Sequence, residues 1–484
     1  MRIKIPLVGG SYKHDSLPFD AQETINLFTE RGGKGSKSPA IFRRFPGKKV
    51  AFTISGGNGK VRGQYVTSGD RWFVVRDNVL YEFDTAYTET TRGTINTLVG
   101  NVTMTDNGTQ MAIADGQNIY SYTLATNALA VVTDADAPQN TPVLNFIDGY
   151  VFGFDPTGSL GSFKHSELND VTTWATLDVY TAEGSPDRLV AMGACNRKQW
   201  LFGSQSFEVW FNRGGDNVTS ATWQRLSGTF KNIGCSAPFS VSTIRGQIFW
   251  LGSSKDGENI VWMSGEGYMP VQISSKAMET AIAGYSKVSD ATSYTMEYLG
   301  HFFYVLTFPS GNKTYVFDIT ENEWVNWAYR NPNTGQQEID RAVNHVFFNR
   351  KNFVGDYENG KIYELDKDTF TDNGNPIVWE RYFSHFDNMQ KMLTWYSLQL
   401  DILVGSSSDY SLNPKIQIRW SDDGGYTYSN WYNMNIGKTG KYGTRVIKRL
   451  MGQSRDRVYH IRSSEPIPIS IQDNTIAEVE GSEF

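Results

Sequence analysis

Between residues 50 and 375 the chain repeats one pattern: a short apolar strand, a turn built from Gly, Asn or Asp, and a second strand rich in aromatics. The copies are RWFVVRDNVLYEFD from Arg71, QMAIADGQNIYSYTL from Gln110, YVFGFDPTGSLGSF from Tyr150 and QWLFGSQSFEVWFN from Gln199. They continue with QIFWLGSSKDGENIVWM from Gln247, FFYVLTFPSGNKTYVFDI from Phe302 and NFVGDYENGKIYELD from Asn352. They start roughly 40 to 55 residues apart, the period of propeller blades. Asp-Asn, Asp-Gly, Ser-Gly-Asn and Glu-Asn-Gly separate the two strands of several copies, and these residues tolerate the positive φ that hairpin turns require. A further strand follows several copies, as in FDITENEWVNW from Phe317 and YTLATNALAVV from Tyr122. Three to four strands per unit make a blade. The pattern predicts an all-β fold with an irregular propeller of about seven blades, six being the alternative count. Radial repetition would leave only short, protected edges.

One segment reads as helix, SKAMETAIAG from Ser275 to Gly284. Ser275 stands at its N-cap, Ala277, Met278, Ala281 and Ile282 share a face, and Gly closes it as an insert between blades. Beyond about residue 375 the repeat stops and strict alternation begins. Leu398, Leu400, Ile402 and Val404 interleave with Gln399, Asp401 and Leu403; Ile416, Ile418 and Trp420 interleave with Gln417 and Arg419; Ile467, Ile469 and Ile471 follow suit. One buried face per strand predicts a separate β-sandwich. Residues 1–47 show little periodicity and end in Phe45-Pro46-Gly47, an extended arm closed by a turn. The expected division is 1–47 arm, 48–375 propeller and 376–484 sandwich.

Bulk composition narrows the role. A content of 14% aromatic residues with 46 glycines suits strands and tight turns. A net charge of −6 argues against a protein whose main task is gripping nucleic acid through phosphates. Cys195 and Cys235 have neither disulfide-framework nor metal-ligand spacing and are expected as buried thiols in a reducing compartment. The N-terminus MRIKIPLVGGSYKHD lacks a signal-length apolar run, and no window approaches the ~18 apolar residues of a membrane helix. Synthesis in a cytoplasm, with no membrane segment, is the expectation.

The motifs carry little chemistry. Ser421-Asp422-Asp423-Gly424-Gly425-Tyr426-Thr427-Tyr428 fits the Asp-box pattern S-x-D-x-G-x-T-aromatic, with Ser421, Asp423, Gly425 and Thr427 at the defining positions. Asp423 can accept from turn amides, Gly425 permits an unusual φ and the aromatic plugs the core, so the motif is read as a structural turn. A sialidase-like hydrolase would also need three converging arginines and a Tyr nucleophile assisted by Glu. The histidines, His14, His165, His301, His345, His385 and His460, stand singly, without metal or triad spacing. No catalytic residue, metal or cofactor is expected. Gly56-Gly57-Asn58-Gly59-Lys60 lacks the Ser/Thr of a phosphate loop and reads as a hairpin turn. Two segments are locally basic: Arg31, Lys34, Lys37, Arg43, Arg44, Lys48 and Lys49 in the arm, and Lys438, Lys441, Arg445, Lys448, Arg449, Arg455, Arg457 and Arg462 in the sandwich. Both suit solvated faces, docking onto acidic neighbours or transient DNA contact.

Three stretches carry a family resemblance. From Ser204 to Ile282 run SQSFEVWFNRGG, GTFKNIGCSAPFSV, IFWLGSSKDGENIVW and GEGYMPVQISSKAMETAI; near the start stands PLVGGSYKHDSLPFDAQETINLFTERG; near the end stands GKTGKYGTRVIKRLMGQSRDRVYHIRSSEPIPISI. Together they resemble the packaged-DNA-stabilisation, or tail accessory (tail hub, nozzle), proteins of short-tailed bacteriophages. The resemblance implies a non-enzymatic virion tail subunit that forms a hexameric ring. That ring extends the portal and adaptor, meets a tail needle or distal nozzle protein, is flanked by tailspikes or fibres, and touches exiting DNA only transiently. The cluster Lys438, Lys441, Arg445, Lys448 and Arg449 is the expected subunit or adaptor contact. The alternatives are a receptor- or glycan-binding tail propeller and, last, a sialidase-like glycoside hydrolase.

Overall fold

The computed structural model describes residues 1–56, 59–182, 184–215, 221–254, 257, 259–406 and 412–481. Gly57 and Asn58 of the expected hairpin turn, and Lys255, Asp256 and Glu258 in the turn of the fifth repeat, lie outside the described residues.

Each of the seven repeats supplies the middle two strands of an antiparallel blade four strands deep, the inner position of the fifth being shared by Gly234–Cys235 and Ser242–Ile244. The blades span 61–94, 103–131, 145–181, 189–225, 234–272, 292–326 and 342–366, and their innermost strands touch in order around a closed ring. The runs are apolar without alternation because a blade is covered on both faces. In the first, Trp72 and Val74 pack against Phe348 and Phe353 of the seventh blade, while Phe73 and Val75 pack against Met111 and Ile113 of the second. Seven such cores fill the seven junctions. Two-residue inner hairpins depend on left-handed pairs, among them Asp148-Gly149, Asn196-Arg197 and Asn349-Arg350, the conformation that fits the strand twist.

The seventh blade has only three strands of its own. Its fourth is Gly47–Thr53 from the start of the chain, antiparallel to Lys361–Asp366 with Leu365 opposite Lys48 and Ile362 opposite Phe52. The ring is thus closed by pairing the two ends of the propeller sequence. The helix Lys276–Ala283 lies between the fifth and sixth blades, capped by Ser275, whose side chain accepts from the Met278 amide. Ala277, Met278 and Ile282 are buried as its pattern predicts; Ala281 is exposed and faces a crevice.

The sandwich has its own core, built on Trp379, Trp395, Leu398, Ile416, Ile418 and Ile461. Ile467, Ile469 and Ile471 are buried in alternation, yet only Ser470–Gln472 is strand. Pro466 and Pro468 remove amide donors there, which excludes them from a ladder. Residues 1–47 form short strands whose partners lie inside the chain. Arg2–Ile5 pairs with Thr475–Gly481, and Ala21–Ile25 with Trp379–Tyr382. Leu27–Arg31 pairs with Ala40–Arg44, which continues to Ser470–Gln472. Through Ala21–Ile25, which also meets the outer strand of the sixth blade at Asn326, one sheet runs from propeller into sandwich. The buried Glu23 pins this seam, accepting from Lys13, Lys313 and Asn326. Although its burial opposes ionisation, the two lysines prevail and hold its carboxyl at about 2.

Candidate interaction surface of the sandwich

The Asp-box residues close the hairpin that follows strand Lys415–Ser421. The Ser421 hydroxyl donates to Asp423 Oδ1 at 2.6 Å and accepts the Gly425 amide at 2.8 Å. Asp423 also accepts from the Thr427 amide at 2.9 Å and the Thr427 hydroxyl at 2.5 Å. Gly425, at φ +96°, takes a conformation that a side chain would strain. These bonds from Ser421 and then Thr427 hold the Asp423 carboxyl down at about 2. Tyr428 differs from the expectation that it plugs the core: it is half-buried, its ring lying 4.5 Å from the Arg419 guanidinium. We expect Asp423→Ala to lower the melting temperature at neutral pH. A carboxyl depressed in the folded state gives stability above its unfolded value that is lost as pH falls through about 2. The gap between variant and wild type should therefore narrow between about pH 4 and 2, as melts in a pH series would reveal.

Most basic residues of the N-terminal segment are engaged within the chain. Arg31 pairs with Glu321 and Glu323, Lys37 with Asp401, Arg43 with Glu30, and Lys48 with Asp340 and Asp372. Arg44 is buried against the carbonyls of Glu465 and Ile467. Lys34 and Lys49 are exposed.

The sandwich cluster is left largely open. Gly437, at φ +93°, turns the chain into a loop closed by Lys441 N donating to Lys438 O at 2.9 Å; a Cβ at Gly437 would lie 2.4 Å from the Thr444 hydroxyl. Among the described residues, Lys438, Lys441 and Arg449 are exposed and have no ion-pair partner. Arg445 donates to Gln399, and Lys448 lies 4.1 Å from the Tyr432 ring. Val446–Arg449 is an edge strand, paired with Leu393–Leu400. Beside it stand two exposed apolar groups, Tyr442 at 74% and Leu450 at 86%. Unpaired cations around protruding apolar side chains, on an edge strand, have the composition of a contact surface for an acidic partner.

The histidines are occupied singly, for example His301 with Asp318 at 2.7 Å and His385 with Asp456 at 2.8 Å. Among the described residues no group of His, Cys, Asp and Glu could hold a metal ion. Both cysteines are buried and free, and burial pushes each thiol up to about 11. Three arginines do converge, Arg330, Arg419 and Arg462, near Glu380, which also accepts from His460, Gln337 and, at 3.5 Å, Tyr382. Burial, then Glu380, raises the Tyr382 phenol, the opposite of what a nucleophilic phenolate requires. Gln417 and Arg462 face each other across paired strands, so alternation alone could have placed them together.

With this geometry in view, two family models match almost the whole chain: Bacteriophage P22 Gp10, beta-propeller, over residues 3–370, and Bacteriophage P22 Gp10, beta-sandwich, over residues 378–479. The chain belongs to the bacteriophage P22 Gp10 family. It is therefore a structural tail protein of a short-tailed phage virion, of the packaged-DNA stabilisation kind. No helix among the described residues is long and apolar enough to cross a membrane. No curated protein matches the chain. Among solved structures it is similar to the WD40 propeller domain of Doa1, at 13% identity over 67% of this chain and 99% of that one, with a TM-score of 0.42. It is also similar to the extracellular domain of BT4673 from B. thetaiotaomicron, at 9% identity over 84% of this chain and 48% of that one, TM-score 0.45. The designed Ika8 protein matches at 12% identity over 72% of this chain and all of its own, TM-score 0.38.

Proposed function

We propose that this P22 Gp10 family member is one subunit of a closed hexameric ring, a tail hub or nozzle. It extends the portal–adaptor channel, retains packaged DNA and conducts it during ejection. The observation that carries this reading is the unpaired basic loop and strand, Lys438 to Arg449, on a chain of net charge −6. A cationic patch on an acidic molecule favours contact with an acidic surface of the next subunit or of the adaptor, and one such contact repeated around an axis closes a ring. The sheet continuous between propeller and sandwich supports a stiff subunit, and net negative charge suits DNA that passes without sticking. A tail needle or distal nozzle protein and the tailspikes or fibres are the further partners of this reading. Ser421, Asp423, Gly425 and Thr427 serve it as a structural turn.

Imaging with mass determination of the purified chain, alone and with portal–adaptor complex from the same phage, tests the proposal. A symmetric ring capping the portal is expected; a chain that ignores the portal and binds a glycan instead would refute it. Lys438→Glu combined with Lys441→Glu is expected to abolish ring formation while leaving the subunit's stability within about 0.5 kcal/mol, as for surface changes free of native contacts.

A further inference from the structure

Where the propeller meets the sandwich lies a crevice of about 180 Å³, lined by Arg330, Val378, Gln417, Arg462, Ser463 and Ser464. Its walls present two guanidinium groups and the Ser464 hydroxyl, and no carboxylate; the Gln417 amide is bonded to Asn433 and Arg462, and the Ser463 hydroxyl to the Lys415 carbonyl and the Glu465 amide. Arg330 closes the short strand Ala328–Arg330 after the sixth blade, while Arg462 and Ser463 end the sandwich strand Asp456–Ser463. Arg330 spends one terminal nitrogen on Glu380 Oε1 at 3.0 Å, and Arg462 spends its Nε on Gln417 at 2.9 Å. Among the described residues the remaining guanidinium nitrogens of both have no partner.

The charge around the crevice does not balance. Arg462 feels one carboxylate, Glu380, against two further guanidinium groups, Arg330 and Arg419. That carboxylate also accepts from His460 at 2.8 Å, and burial pushes the imidazole down to about 4, so it is neutral at neutral pH and adds nothing to the positive surplus. The arginines are also fixed in place: the Trp431 ring lies 3.9 Å from the Arg462 guanidinium and 4.4 Å from that of Arg419. Half-buried, preoriented guanidinium groups with free N–H edges are what a bidentate oxyanion recognises.

We infer that this crevice is an oxyanion site, holding a single carboxylate or phosphate group between Arg330 and Arg462. The group replaces the missing counter-charge at the seam between the two domains, and its binding stabilises the folded chain by mass action.

Thermal unfolding of the full chain, titrated with sodium phosphate against sodium chloride at matched ionic strength, tests this. A saturable rise in Tm specific to phosphate is expected. Arg462→Gln should weaken the apparent affinity roughly tenfold or more, as loss of a charge-assisted bond implies. Ser464→Asp should abolish the phosphate effect, because it places a carboxylate at the rim of the crevice from an exposed residue. Mass measurement in the same titration identifies the source. Phosphate that dissociates oligomers marks an acidic side chain of a second copy as the native occupant; phosphate that leaves the mass unchanged marks a free anion. A phosphate response no larger than that of chloride, or one equal in wild type and both variants, overturns the inference.

Discussion

Removing residues 1–46 is expected to prevent folding rather than merely to impair assembly. Ile5, Leu7, Leu27 and Phe42 belong to the sandwich core, and Phe28 and Phe45 to the junction between the sixth and seventh blades. Burying six such side chains contributes roughly 9 to 18 kcal/mol at about 1.5–3 kcal/mol each, an upper figure because unfolded chains already hide some surface. That is comparable to the whole net stability of a typical domain, about 5–15 kcal/mol. The deletion also unpairs strands that Arg381 anchors, since this buried guanidinium donates to the carbonyls of Leu7 and Gly10 and to Thr24 and Gln22. Expression of residues 47–484 should give aggregated protein without a cooperative melt. A soluble fragment melting at the wild-type temperature would mean that the segment serves only neighbouring subunits.

How the N-terminal segment pairs could not be read from its sequence, and the reason is physical. Its strands are short, and two of them, Arg2–Ile5 and Ala21–Ile25, find partners more than 300 residues away, in Thr475–Gly481 and Trp379–Tyr382. Local alternation carries no information about such distant pairing. The blades were readable because their pairing is local: Asp77 and Asp148 stand at tight turns with positive φ, and the strands on either side pair across them. The same distinction separates the two basic regions. Lys438 and Lys441 are exposed in a loop rich in glycine, which composition alone suggests. Arg31 and Lys37 look identical in sequence but meet Glu321 and Asp401, carboxylates brought by the fold. The crevice between Arg330 and Arg462 was hidden for that reason too, its walls coming from both domains.

Lys48→Met is expected to be the most damaging single substitution, at about 3–5 kcal/mol, the usual cost of leaving one side of a buried ion pair uncompensated. Lys48 lies on the strand that closes the propeller ring, and its side chain is fully buried. Its ammonium donates to Asp340 and, at 2.7 Å, to Asp372, and sits 4.7 Å from the Trp327 ring. Two carboxylates share this one cation, and burial raises the Asp372 carboxyl to about 6 despite the attraction of Lys48. A carboxyl raised in the folded state gives stability at low pH that is lost as pH rises through about 6. Without the ammonium the two carboxylates repel more strongly, and protonation relieves more. The deficit of the variant should therefore be largest above pH 6 and narrow on acidification towards pH 5. Denaturant midpoints at several pH values would measure it, and hydrogen exchange at Gly47–Thr53 would report whether the ring opens at this strand first. Equal stability of variant and wild type at pH 8, with unchanged protection of that strand, would mean that the closing strand is held by its ladder and packing alone.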